Sequence, residues 1–189
     1  MEVTFRDAVT MLHGMGFGAL LLLGFTGALA VLYSTSITGH PWTPAGRRAA
    51  ALYLIVMALL AWATVLAGAY LVYPWYRALA PAGTTDLGGY PQRLLLANPA
   101  TAEWHDIGME WKEHIAWFAP ITLTAVAYIF VRYQERLPHF RGLRNAVMAL
   151  TCLAFLSAAV AGAFGAMLNK YAPVRGGPDL VIMNGGARG

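Results

Sequence analysis

Two histidines occupy matching places in the chain. His13 precedes the apolar run Met15–Leu32, and His114 precedes the apolar run Ile115–Val131. Neutral imidazole is a ready metal ligand, and two rings facing each other across a helix bundle can hold one haem iron from both sides. That chemistry needs two parallel supports that bring the rings to equal depth. On a helix, His13, Gly16, Leu20, Gly24 and Gly27 share one face, with Gly16 nearest the ring. Small residues there give either close helix contact or room for a flat cofactor.

A second constellation overlaps the first. Asp106, Glu110, His114 and Trp117 follow at spacings of four, four and three, with Glu113 beside them. Carboxylates and a histidine at such spacing can bind a non-haem metal, with Asp106, Glu110 and Glu113 as donors. Glu110 or Glu113 can equally carry protons near a quinone. The plainer reading has these acids solvating a protruding helix end, with Lys112 and Arg6 as partners. A di-iron bundle would need carboxylates from the other apolar runs, which have none.

The remaining histidines are weaker candidates. His105 is expected to be exposed, and His40 and His139 stand beside Pro41 and Pro138, poor platforms for ligation. A single cysteine, Cys152, allows no internal disulfide, and no Cys-x-x-Cys-His is present for covalent haem. No phosphate loop, dinucleotide fingerprint or nucleophile elbow occurs in a strand–turn–helix setting.

The elements that must position these residues are membrane helices. The chain is 58% hydrophobic and 12% charged, against about 25% charged in a soluble domain. Ala50–Val72 and Val147–Leu168 complete a set of four apolar runs. Each is long enough to cross a bilayer, where only a helix satisfies its own backbone. The expected fold is all-α: an integral membrane four-helix bundle running up-down-up-down, a single domain over 1–189. Helices are expected at about 8–34, 47–73, 99–136 and 142–169, with a long irregular outer loop at 74–98 and a tail at 170–189. First and third helices then run parallel, as neighbours or across a diagonal. Asn98 before Pro99 reads as an N-cap, and Pro120 should disturb the third run and free a carbonyl near residue 116.

Charge sets the expected orientation. Arg47, Arg48, Arg132, Arg136, Arg141 and Arg144 lie in the two short loops, opposed there only by Glu135. The positive-inside rule places those loops in the cytoplasm and both termini outside. This accounts for the net charge of +4 without nucleic acid. The N-terminal run is expected to be a retained helix, since no basic leader precedes it. The glycine-rich tail is expected to be ordered only by a partner, such as a neighbouring subunit.

The four runs, His13 and His114 at one face, and the glycines beside His13 together resemble the four-helix membrane b-type cytochromes of respiratory oxidoreductases. That resemblance implies haem b held by His13 and His114, and electrons passed between a redox partner and quinone. The chain would then be a non-catalytic electron-transfer subunit among other subunits of a membrane complex, in contact with lipid. Two other readings stand beside it: a cofactor-free accessory subunit, and a non-haem metal site on the third helix.

Overall fold

The computed structural model describes residues 2–34 and 43–181. His40, Pro41 and Trp42, and the tail beyond Val181, lie outside the described residues. Four helices are long and apolar enough to cross a membrane: Phe5–Tyr33, Pro44–Tyr76, Pro99–Tyr133 and Arg141–Tyr171. The chain is an all-α, multi-pass membrane bundle. Leu20, Leu23, Leu52, Leu59, Ile121 and Leu156 are exposed on its flanks, where acyl chains would cover them.

Each helix packs on its neighbours in sequence, and the first closes the ring against the fourth. The first and third helices are therefore diagonal. The bundle centre between them is filled by Leu21, Phe25, Met57, Ala61, Leu123 and Ala154. A further layer of Ala28, Leu32, Leu54, Val126, Phe130 and Val147 closes the end that carries the arginine loops.

Local chemistry sets the helix starts. Thr43 caps the second helix, its hydroxyl accepting from the Gly46 N–H at 3.1 Å, with Pro44 in the first position. That start precedes the expected one by three residues. Asn98 caps the third helix by accepting from the Ala100 N–H at 2.9 Å. The first helix opens on a reciprocal cap between Thr4 and Asp7.

Two expectations need correction. The outer loop is not wholly irregular, since Pro91–Leu96 forms a short helix whose Leu95 is buried with Tyr76, Met109 and Leu168. The first part of the tail is held within the chain. Asp179–Val181 pairs antiparallel with Glu2–Thr4. The Phe5 N–H also donates to the Pro178 carbonyl, and the Gly176 N–H to the Thr4 hydroxyl. Gly176 and Gly177 make the return at φ of 104° and 86°, a region that side-chain-bearing residues avoid.

Candidate functional site

Three of the four helices leave regular α geometry toward the end that carries both termini. The first widens into π turns over Leu12–Gly18, the second over Gly68–Val72 and the third over Trp104–Met109. The third then tightens into a 3₁₀ turn at Ile115–Trp117, upstream of Pro120. Such irregular turns often mark functional places in helices. His13 and Gly68 lie within these segments, and Lys112 lies between two of them.

The His13 ring lies against the second helix. A side chain at Gly68 would put its Cβ 2.7 Å from the His13 Cε1, so only glycine admits the ring at this distance. The Thr64 carbonyl, one turn earlier, borders the same ring. Among the described residues, the buried His13 Nδ1 has no hydrogen-bond partner, and neither has the buried Thr10 hydroxyl three residues before it. A polar atom buried without a partner costs about 1–3 kcal/mol, so a helix face carrying two of them is unusual.

Lys112 completes the centre. Its Nζ lies against Gly165 of the fourth helix, 2.8 Å from where a Cβ there would be. Lys112 is within electrostatic reach of His13. It has no hydrogen bond and no ion pair among the described residues. His13 thus meets Gly68 across the first and second helices, Lys112 meets Gly165 across the third and fourth, and the two polar side chains sense each other electrostatically. Neighbouring contacts fix the third helix: the Trp111 indole N–H donates to the Ser157 carbonyl at 3.2 Å, and the Ser157 hydroxyl donates to the Ile115 carbonyl at 3.1 Å. The accepting carbonyl is that of Ile115, which also receives the Phe118 N–H in the 3₁₀ turn, one residue before the position expected from Pro120.

The structure does not bring His114 to His13. The His114 side chain is 67% exposed, and its Nδ1 lies 3.3 Å from the Glu110 carboxylate and 3.1 Å from the Glu110 carbonyl. The third helix turns Lys112 inward and His114 outward. A haem clasped between the two histidines does not fit this arrangement. The glycine face is likewise committed elsewhere. A Cβ at Gly24 would meet the Met57 sulfur, and one at Gly27 the Tyr53 hydroxyl. The Tyr53 hydroxyl donates to the Gly24 carbonyl at 2.7 Å. At Gly16 an added Cβ would meet only Leu12 of its own helix.

The carboxylates separate as well. Asp106 is exposed, Glu110 pairs with His114, and Glu113 faces Tyr73 on the second helix. Among the described residues no three His, Cys, Asp or Glu side chains come together to hold a metal. The expected partners differ too: Arg6 stacks over Trp75 at 5.5 Å, and Lys112 turns into the bundle.

His105 is half-buried, against expectation. Its Nδ1 shares a hydrogen bond of 2.7 Å with the Tyr76 hydroxyl, and its Nε2 lies 3.3 Å from the Gln92 amide nitrogen. Both ring nitrogens are therefore engaged. Sequence reasoning missed this pair, and also passed over Lys112 and Thr10 as site residues. The available signal was a lysine spaced three and four residues from buried Met109, Gly108 and Ala116, on the inward face of the third helix.

Fold and site together define a multi-pass helical membrane protein with a polar centre at one end of its bundle. The chain matches no known family model, curated protein or solved structure.

Proposed function

We propose that the chain is a quinone-binding membrane subunit of an electron-transfer complex. The observation that carries this reading is the buried His13 Nδ1, without a partner among the described residues, within electrostatic reach of the unpaired Lys112 amine, in a bundle whose other buried polar groups, Thr122, Thr151 and Ser157, bond to helix carbonyls. A quinone is lipid-soluble and presents carbonyl oxygens to just such donors. Lys112 and Thr10 donate to one carbonyl oxygen. The Thr64 carbonyl takes the ring's other N–H, so neutral His13 offers its Nδ1 lone pair and accepts from the quinol hydroxyl. Reduction adds two electrons and two protons to the ring. In this proposal the electrons come from a redox partner and Glu113, which faces Tyr73, is the proton carrier. The ammonium of Lys112 favours the negative charge that develops on the reduced oxygen. By the arginine distribution, this end of the bundle faces outside.

A second reading is a cofactor-free accessory subunit. It is favoured by the closure of Gly24 and Gly27 against Met57 and Tyr53, which is pure helix packing.

Titration of a short-chain quinol into the chain in lipid nanodiscs, read by tryptophan fluorescence, separates the two. Quinol binding predicts saturable quenching that weakens about ten-fold or more in Lys112→Met and in His13→Leu. Equal quenching in both variants and the parent would contradict it. A reduced-minus-oxidised spectrum with a Soret band lost in both His13→Ala and His114→Ala would restore the haem reading instead.

A further inference from the structure

The opposite end of the bundle holds an open hollow of about 600 Å³ between the third and fourth helices. Tyr133, Arg136, His139, Phe140, Arg141 and Leu143 line it. The turn there carries four arginines, and two of them are already engaged. Arg144 donates to the Leu137 and Pro138 carbonyls and so braces the turn. Arg132 lies over the Tyr133 ring at 5.5 Å. The acid of this turn, Glu135, is paired across to Arg47 on the second helix at 3.8 Å. Arg136 and Arg141 remain without a side-chain partner among the described residues, and both border the hollow.

We infer that this hollow is a binding site for the phosphate headgroup of an anionic phospholipid. Two guanidiniums and an imidazole around an apolar floor match a phosphodiester attached to acyl chains. The surroundings favour a lipid over a free ion. Phe140 at the rim is 58% exposed, and Leu153, on the fourth-helix face that continues Gly142 and Ala146 of the lining, is 43% exposed. Acyl chains leaving the hollow would run along that apolar surface. A small anion would gain nothing from it. General attraction between basic loops and a charged leaflet needs no hollow. The assignment here is to Arg136 and Arg141 and not to Arg47 or Arg48.

The test uses the full chain in phosphatidylcholine nanodiscs doped with phosphatidylglycerol, with retained lipid read by native mass spectrometry. Preferential retention of phosphatidylglycerol is expected. It should fall about five-fold for Arg136→Gln or Arg141→Gln alone and about twenty-five-fold for both. Arg47→Gln with Arg48→Gln should leave it unchanged. If the double variant fails to insert, the two single variants decide the matter. Equal loss in the Arg47/Arg48 variant would overturn the site in favour of diffuse attraction. Displacement of the lipid by millimolar inorganic phosphate would overturn the lipid assignment in favour of a free anion.

Discussion

Lys112 is the residue on which the proposed quinone chemistry turns. An ammonium drawn among membrane helices without a counter-ion loses solvation and gains no partner. Evolution of stability alone would replace it by methionine. Lys112→Met is therefore expected to melt no lower than the parent while losing quinone affinity, a split read by a thermal scan beside the titration. A purely structural lysine would lose stability and leave binding untouched. Gly68 makes the complementary case. Gly68→Ala would place a methyl 2.7 Å from the His13 Cε1. The ring must move, at a cost of about 1–3 kcal/mol for overpacking. Denaturation of that variant checks the figure, and its quinone affinity should fall with it. These residues were only partly legible in the sequence. His13 stood out because a histidine beside an apolar run is rare. The role of Lys112 did not, because it lies among Glu110, Glu113 and His114, where a solvated face is the simpler reading. Which side of the third helix faces inward is decided by its π and 3₁₀ turns, and periodicity assumes neither.

At the scale of elements, the four spans were legible because length and apolarity alone specify a membrane helix. Their ends were less so. Thr43 with Pro44 and Thr4 with Asp7 are ordinary capping signals, but they lie outside the apolar runs that define the spans. The tail was misjudged because strand pairing between Glu2–Thr4 and Asp179–Val181 joins opposite ends of the sequence, beyond the reach of any local pattern. Thr4 links both features, since its hydroxyl accepts from the N–H groups of Asp7 and Gly176. Thr4→Ala should cost about 1 kcal/mol through the lost cap. Hydrogen exchange should show faster loss of protection at Gly176 and at the paired strands than in the helices. At the contact of first and second helices, Tyr53→Phe removes the bond to the Gly24 carbonyl. A loss near 0.6 kcal/mol is expected for such an interhelical bond in a membrane, measured by unfolding in mixed micelles.

The whole molecule divides into two ends with different tasks. One end pairs the termini, distorts three helices and gathers His13, Thr10 and Lys112. The other closes tightly and carries the arginines around its hollow. Between them the diagonal gap is packed with Leu21, Phe25, Met57 and Leu123. The proposed orientation has a direct check. In a Cys152→Ser background, a cysteine at Gly142 should react with a membrane-impermeant thiol reagent only from the cytoplasmic side, and one at Gly83 only from outside. Reversed labelling would place the quinone end in the cytoplasm and its redox partner with it. The proposed function rests on the buried His13 Nδ1, which has no partner among the described residues. Nitrogen-15 NMR of histidine-labelled protein in nanodiscs tests it, with His13 assigned by its absence in His13→Leu. The account predicts that a short-chain quinol shifts the His13 Nδ1 resonance and leaves those of His105 and His114 in place. A His13 resonance unmoved at saturating quinol, or one already displaced by a hydrogen bond within the protein, would contradict it.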